Sequence, residues 1–420
     1  MDPYQLIAFL LTLSVFVGYV NHRFIKMPGT IAVMVSSLVI SCILLFLKQW
    51  GFTGIVNDLS NALVKINFHD LLINGMLGFL LFAGALTIDF SHLKNRKWEI
   101  GVLATLGTMA STVLVGILMY FILECLNVHL SFLYCFLFGA LISPTDPIAV
   151  LSIFRDLKAP KEMRIFLEGE SLFNDGVGIV IFMTLYAFAF QQHSFSLMNL
   201  SLLFFQEALG GIIYGLLLGF LGYWLMKPLQ DHRMQILVTL ALVMGGYSLA
   251  MMLNISGPLA MVVAGIMLGH GEGVFSLSSS SRKNLDIFWE LVDEILNAML
   301  FLLIGFELLQ LTLGLRDIIA MGVAVVVVLF VRALCVALPV LLFKLKLKRT
   351  YYPKMIQILI WGGLRGGLAV ALALALPIQN ESRTLILSMT YGVVVFSILV
   401  QGLTVKPMIE QSLKKGKEIC

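Results

Sequence analysis

Charged residues are scarce in this chain. Asp, Glu, Lys and Arg make up 12% of its 420 residues, against about 25% in a typical soluble domain. Hydrophobic residues make up 59%, above the roughly 45–50% of soluble domains. This balance excludes a water-soluble globular protein and a disordered chain. Because no charged remainder is left over, we also do not expect a single-span receptor or a membrane-tethered enzyme.

Cysteine is rare as well, with five residues and neither a CxxC pair nor a His/Cys cluster, so we expect no zinc or redox site. The chain lacks the GxxxxGK[ST] phosphate-binding loop, which argues against ATP-driven transport. It also lacks a nucleophile with an associated base, so we do not expect an enzyme. The N-terminus has no basic segment before its first apolar stretch, which we interpret as a retained helix. We expect no cofactor and no nucleic-acid partner.

Long apolar segments fill the chain instead. At roughly 30 residues for a span and its loop, a chain of this length allows about a dozen transmembrane helices. We predict an all-α polytopic membrane domain over residues 1–410, followed by a short cytoplasmic tail at 411–420. The ninth segment is short and Gly-rich, and could be tilted or merged with the eighth. The thirteen predicted segments are 4–21, 29–48, 70–89, 100–126, 132–155, 164–190, 200–226, 234–253, 256–270, 285–309, 316–343, 354–377 and 384–409.

The basic residues are divided unevenly between the two sets of linkers. The linkers after odd-numbered segments, together with the C-terminal end, hold 22 of the 28 Lys and Arg, and the opposite side holds four. Cytoplasmic loops of membrane proteins carry an excess of Lys and Arg. We therefore predict an outside N-terminus and a cytoplasmic C-terminus, which requires an odd number of spans.

The fifth segment contains Ser143-Pro144-Thr145-Asp146-Pro147. Two prolines three residues apart remove two backbone donors and clash with the preceding turn, so the helix should unwind here. Broken helices inside a membrane are tolerated where they line a cavity or are buried in protein, and in transporters their ends bind ions. Asp146 and Thr145 are therefore candidate ligands, and an incidental acid beside a proline kink is the alternative.

The sixth segment carries a cluster of polar side chains. At helical spacing Ser171 and Asp175 are i, i+4 neighbours, and so are Glu170 and Asn174. Carboxylate, amide and hydroxyl oxygens suit a small hard cation such as Na⁺. An interfacial position near Arg164 is the alternative for Glu170, whereas Asp175 lies a further turn inside.

Two arginines, Arg332 and Arg365, also lie within apolar segments. Arg365 belongs to residues 361–367, whose four glycines make a second helix break plausible. Charged groups at such depth are costly, so each arginine needs a carboxylate or the carbonyls at a helix C-terminus. We interpret both as structural residues.

The predicted breaks fall in segments 5 and 12. Two six-helix units would span about residues 1–190 and 234–410, and the helix at 200–226 would connect them. The first unit starts outside and the second starts inside, and the fifth member of each is the discontinuous helix. This order predicts an inverted-topology repeat with a site where the breaks cross.

Four motifs in this order resemble one known family. They are LISPTDPIAV, FLEGESLFNDGVGIVIF, NAMLFLLIGFEL and WGGLRGGLAVALALALP. The chain is similar to the NhaP-type Na⁺/H⁺ antiporters of the monovalent cation:proton antiporter (sodium/hydrogen exchanger) family over residues of about 5–410. The resemblance implies thirteen helices in an inverted repeat, a mobile core domain, a dimerisation domain and a homodimer in a bacterial inner membrane.

The resemblance also implies a site. Glu170 would be a structural acid paired with Arg332 or Arg365. Many relatives carry Leu-Phe-Glu near the end of the third helix, but this chain has Ala83 there, so any cation ligand from that position is absent. The Asn174-Asp175 pair is linked in the family to electroneutral exchange. The implied cation site comprises Asp175, Asn174, Ser171, Asp146 and Thr145.

The leading hypothesis is a secondary antiporter in which Asp175 alternately binds H⁺ and a monovalent cation, Na⁺ or else Li⁺ or K⁺. Competition for one carboxylate couples the two flows, and rocking of one part of the bundle exposes the site to either side. A K⁺-selective antiporter is the nearest alternative. A channel or sensor and an organic-solute transporter are the others, although a channel needs an open pore lined by rings of like groups.

Overall fold

The computed structural model describes most of the chain, and the statements below concern those residues alone. Some sequence predictions fall outside them: the segment ends at 70, 89, 270, 308 and 309, the linker residues Lys65, Lys94, Lys348 and Arg349, and residues 418–420 of the tail. The described residues are 3–27, 29–50, 54, 71–88, 96–190, 197–269, 279–307, 314–346, 351–377 and 381–417.

Every regular element in the described ranges is a helix, which confirms the predicted all-α class. Four π-helical stretches accompany the α-helices: Asn21–Ile25, Leu71–Met76, Leu103–Gly107 and Ser397–Gly402. The α-helices are α1 (Pro3–Val20), α2 (Gly29–Gln49), α3 (Leu77–Thr87), α4 (Lys97–Val102), α5 (Thr108–Cys125), α6 (Phe132–Ile142), α7 (Ile148–Asp156), α8 (Lys161–Phe190), α9 (Leu197–Met226), α10 (His232–Met252), α11 (Gly257–Gly269), α12 (Ser279–Glu307), α13 (Leu315–Lys346), α14 (Met355–Trp361), α15 (Gly367–Leu374), α16 (Glu381–Phe396) and α17 (Leu403–Lys417).

Many of these helices are both long and apolar. Within the described ranges, seven helical stretches are long and apolar enough to cross a membrane, and four shorter ones are apolar too. The count of thirteen crossings and the inverted repeat stay predictions. The seven long stretches are Ile7–Ile25, Lys97–Cys125, Lys161–Phe190, Ser201–Met226, His232–Met252, Leu315–Lys346 and Ser382–Lys414.

Helices α12 and α17 depart most from their predicted limits, and the choice left open between a separate and a merged ninth segment is resolved. Helix α12 starts at Ser279, six residues before the predicted start, because its first turns are polar and hydropathy does not detect them. Helix α17 continues to Lys417 and so includes residues predicted as tail, because Val405, Ile409 and Ser412 form one fully buried face. Helix α11 is separate from α10, which ends before Asn254 in a left-handed conformation with φ 53°.

The chain divides into two compact units. The first comprises Met1–Leu72, Ala110–Arg164 and Asn297–Cys420, and the second comprises Ile73–Met109 and Ile165–Leu296. These units are defined by which residues pack together, and the predicted repeat units of about 1–190 and 234–410 are defined by the order of the helices along the chain. The two units therefore do not test the predicted repeat. The boundaries between the units fall inside the π-helix Leu71–Met76 and inside α5, α8 and α12.

In the first unit, α13 packs along α16, and α6 packs against α15 and α16. Serine hydroxyls join α2 to the end of α12, since Ser37 donates to the Phe301 carbonyl at 3.0 Å and Ser41 donates to the Gly305 carbonyl at 2.6 Å. Serine-to-carbonyl bonds of this kind connect helices where an unpaired polar group would be costly. They place the elements that surround the two helix breaks.

In the second unit, α11 lies between α3 and α9. Its Gly265 and Gly269 form a GxxxG pattern that lets the helix approach the backbone of α3, as small residues do in membranes. A Cβ at Gly265 would lie 2.6 Å from the Ala85 Cβ and 2.8 Å from the Phe82 carbonyl oxygen. The buried Trp289 closes this unit by contacting Phe82, with ring centroids 4.8 Å apart, and by donating to Thr239 at 3.1 Å.

We predict that Gly265→Ala destabilises the protein, because the added methyl group meets backbone atoms that cannot move aside. The expected cost is about 1–3 kcal/mol, read as a lower melting temperature of the detergent-solubilised protein. Gly245→Ala is the matched control, since a Cβ there meets nothing within 4 Å. Because alanine is the better helix former, this control should melt no earlier than the wild type. Equal melting of the two variants would contradict the close α3–α11 contact.

Candidate functional site

The first helix break separates α6 from α7 and contains Pro144 and Pro147. In a continuous helix the Ser143 carbonyl would accept from the amide of residue 147, but Pro147 has no N–H. The Pro144 carbonyl would accept from the Ile148 amide, which instead donates to Oδ1 of Asp146 at 3.0 Å. The break therefore leaves two carbonyls without their helical donors.

Arg365 supplies the missing donors. Its side chain is buried, and Nη1 donates to the Ser143 carbonyl at 2.8 Å and to the Pro144 carbonyl at 2.7 Å. A guanidinium at the C-terminal end of a helix also interacts favourably with the helix dipole. From the sequence, either a carboxylate or the carbonyls at a helix C-terminus could be the partner of this arginine. The two bonds described here are to helix carbonyls.

The second break separates α14 from α15 and lies directly against the first. The Asp146 amide donates to the Leu364 carbonyl at 2.8 Å, so the two breaks share a backbone hydrogen bond. Gly366 is extended, with φ −123° and ψ −154°, and a Cβ at this position would overlap with the carboxylate of Asp146. The carboxylate therefore occupies space that a side chain at position 366 would fill.

Arg332 acts on the same break from α13. It is 8% exposed, and Nη2 donates to the Leu359 carbonyl near the end of α14 at 3.0 Å. A Cβ at Gly363 would lie 2.7 Å from its Nε atom. Both arginines thus hold carbonyl groups at the ends of interrupted helices.

Small hydroxyl side chains surround the start of the first break. The hydroxyl of Ser143 lies 2.7 Å from the Gly139 carbonyl and 2.9 Å from the hydroxyl of Ser111. Thr112 donates to the same Ser143 oxygen at 3.4 Å. Thr145 is buried, whereas Asp146 is partly exposed. The acid is thus the more accessible of the two predicted ligands in this break.

The other predicted site residues lie on α8, in the second unit. Glu170, Ser171 and Asn174 are buried, and the Asn174 amide donates to Oε1 of Glu170 at 3.3 Å. Asp175 is partly exposed and lies one turn after Ser171 on the same helix. This order places a carboxylate and a hydroxyl side by side, while the amide is engaged with the buried acid.

The predicted residues are thus distributed over the two units. Asp146, Thr145, Arg332 and Arg365 belong to the first unit, and Glu170, Ser171, Asn174 and Asp175 belong to the second. Their assignment to one cation site, and the pairing of Glu170 with an arginine, stay predictions. Ala83, at the position of the family's glutamate, is buried on α3.

Sequence reasoning missed several polar residues around the breaks. Ser111, Thr112, Ser397 and Gln401 are all buried, and each makes a hydrogen bond to a break or to a neighbouring side chain. Ser397 and Gln401 are an i, i+4 polar pair in an apolar stretch, and that spacing is the signal that could have found them.

The sequence also matches a known family profile. Residues 11–411 match the family described as "Sodium/hydrogen exchanger, transmembrane". This chain belongs to the sodium/hydrogen exchanger family. It is therefore an integral membrane protein, and the family resemblance inferred from the four motifs is confirmed.

Two bacterial relatives align with this chain along almost their whole length. The chain is 42% identical to the Na⁺/H⁺ antiporter NhaP of Pseudomonas aeruginosa over 409 residues, which cover 97% of this chain and 96% of that protein. It is 33% identical to the Na⁺/H⁺ antiporter NhaH of Halobacillus dabanensis over 416 residues, 98% of each chain.

A solved structure shares the fold. The sodium proton antiporter MjNhaP1 of Methanocaldococcus jannaschii superposes with a TM-score of 0.78 at 22% identity, covering 98% of this chain and 100% of that chain. At this level of identity the likeness establishes the exchanger fold.

We predict that Gly366→Ala impairs sodium-driven proton flux in proteoliposomes, because the added methyl group displaces the Asp146 carboxylate. The expected loss is about tenfold or more, since misplacing a reacting group by an ångström can cost about a hundredfold. Gly322→Ala, where a Cβ meets nothing within 4 Å, is the matched control in the same unit. Wild-type flux in Gly366→Ala would show that the position of Asp146 does not matter.

Proposed function

We propose that this chain is a secondary antiporter that exchanges Na⁺ for H⁺ across a bacterial inner membrane. The observation that carries the proposal is the 42% identity, along nearly the full length of both chains, to a protein named as a Na⁺/H⁺ antiporter. Further relatives with that name align over 98% of this chain. The names of these relatives favour Na⁺ over the K⁺-selective alternative, and no contact in the described residues favours a channel or an organic-solute transporter.

Asp175 is the group for which the two ions compete. It is partly exposed and lies one helical turn after Ser171, and its polar neighbours Ser171 and Asn174 are buried. A carboxylate can hold either a proton or a cation, so binding one displaces the other and couples the two flows. Asn174, Ser171, Asp146 and Thr145 complete the set of cation ligands, whose oxygen chemistry suits Na⁺.

Glu170, Arg332 and Arg365 have structural roles in this proposal. Glu170 accepts a hydrogen bond from Asn174, and the two arginines hold carbonyls at the ends of broken helices. In this proposal these three groups carry neither the cation nor the proton. The ion-dependent change of charge is then confined to Asp175.

The protein works as a homodimer in the lipid bilayer, with its N-terminus outside and its C-terminus in the cytoplasm. The 22-to-4 division of basic residues between the two sides supports this orientation. Alternating access exposes the loaded carboxylate to one side at a time.

We expect Asp175→Asn to abolish sodium-driven proton flux while the protein still inserts and remains folded, because an amide can exchange neither ion. Purified protein in liposomes with an internal pH-sensitive dye would be tested with Na⁺, Li⁺ and K⁺ gradients in turn. Asp156→Asn, which neutralises an exposed acid at the end of α7, should retain wild-type flux. Near-normal flux in Asp175→Asn would disprove the site, and no cation-driven flux in the wild type would disprove the function.

We also expect exchange to be electroneutral. One cation replaced by one proton on Asp175 moves no net charge, because Asn174 cannot titrate. An uncompensated charge would instead couple to the membrane potential by about 2.3 kcal/mol per 100 mV. Sodium-driven flux should therefore not change under a potassium/valinomycin clamp, once K⁺ has been shown not to be a substrate. A steep dependence on voltage would point to Glu170 as a second titrating group.

A further inference from the structure

Two polar side chains on the last helical segment meet the second break. Ser397 and Gln401 lie in the π-helix Ser397–Gly402, between α16 and α17, and are 1% and 2% exposed. The Ser397 hydroxyl donates to Oε1 of Gln401 at 2.7 Å. Wider turns of this kind inside helices are frequent at functional sites.

This pair replaces one specific backbone hydrogen bond. In a continuous helix the Arg365 amide would donate to the Trp361 carbonyl, four residues earlier. Here the Arg365 amide donates to the Ser397 hydroxyl at 3.3 Å, and Nε2 of Gln401 donates to the Trp361 carbonyl at 3.0 Å. The two side chains, joined to each other, thus take the place of the bond that would close the helix across the break.

Ser397 and Gln401 influence the position of Asp146 through Arg365. The Arg365 side chain holds the carbonyls of Ser143 and Pro144, and the neighbouring Leu364 carbonyl accepts from the Asp146 amide. The backbone at residues 364–366 therefore sets where the Asp146 carboxylate lies. Ser397 and Gln401 fix that backbone on the side away from Asp146.

A small cavity lies beside the pair. Its wall includes Arg332, Arg365, Ser397 and Gln401, and the cavity is about the size of one water molecule. A water could therefore replace the hydroxyl of Ser397 in part. Gln401 spans a longer distance with two polar atoms, so its loss should have the larger effect.

We infer that Ser397 and Gln401 are positioning residues for cation exchange, which hold the second helix break open by a side-chain relay from the Arg365 amide to the Trp361 carbonyl. The inference rests on the proposed antiport function. Neither residue touches the cation. Both act by fixing the backbone that places Asp146.

The test uses the full chain with Ser397→Ala and Gln401→Met, which remove the relay while nearly conserving volume. Backbone amide hydrogen exchange of residues 362–367 should accelerate by about tenfold in Gln401→Met and less in Ser397→Ala, as expected for the loss of one buried hydrogen bond. In proteoliposomes the apparent KM for Na⁺ should rise several-fold in both. Ser397→Thr keeps the hydroxyl, so its amide hydrogen-exchange rates and its apparent KM for Na⁺ should equal those of the wild type. Combining Ser397→Ala with Gln401→Met should change these two quantities no more than Gln401→Met does alone.

Ser388→Ala is the matched control. Ser388 lies on α16, is fully buried, and its hydroxyl has no hydrogen-bond partner in the described part of the chain, so both readouts should keep their wild-type values. The inference would be overturned if Ser397→Ala and Gln401→Met left the amide hydrogen-exchange rates and the apparent KM for Na⁺ unchanged. Equal changes of these two quantities in Ser388→Ala would overturn it as well. A wild-type protein without sodium-driven flux would disprove the proposed function, and amide exchange would still decide whether the relay holds the break.

Discussion

The contact between the Arg365 guanidinium and the carbonyls of Ser143 and Pro144 underlies the rest of the first unit. Proline removes a backbone donor wherever it interrupts a helix, and in a membrane each carbonyl left without a donor costs several kcal/mol. The buried guanidinium of Arg365 donates to both carbonyls that the first break leaves without helical donors. Because Arg365 lies in the second break, the same contact also fixes the two breaks to each other.

The breaks are thus maintained by side chains from elsewhere in the unit. Arg332 holds the end of α14 from α13, Ser397 and Gln401 bridge the gap before α15, and the hydroxyl of Ser111 contacts that of Ser143. Apart from the Ser111–Ser143 contact, each of these bonds gives a backbone group near a break a tertiary partner. The Ser143, Pro144, Leu359 and Trp361 carbonyls and the Arg365 amide therefore keep hydrogen-bond partners although the helices are interrupted.

Local sequence predicted the positions of the breaks, because prolines and glycines act on the residues next to them. It also identified the two buried arginines and the polar residues of α8, since charged groups stand out in apolar segments. It could not choose the partners of Arg365, because that choice joins residues more than two hundred positions apart. Ser397 and Gln401 escaped notice because hydropathy averages two neutral polar residues into their apolar surroundings, and the early start of α12 was missed because its first turns are polar.

The two acids of the predicted site differ in how they are held. Asp146 accepts the Ile148 amide with Oδ1, donates its own amide to Leu364, and fills the space left by Gly366, so its direction is set by three constraints. Asp175 lies on an uninterrupted helix and is partly exposed. A carboxylate that caps a helix accepts a weaker hydrogen bond once it is protonated, because charge-assisted hydrogen bonds are the stronger ones, so changing its charge would weaken the cap at the break. In the proposed mechanism Asp175, which lies on an intact helix, exchanges the proton for the cation, and Asp146 serves as a ligand whose direction the break fixes.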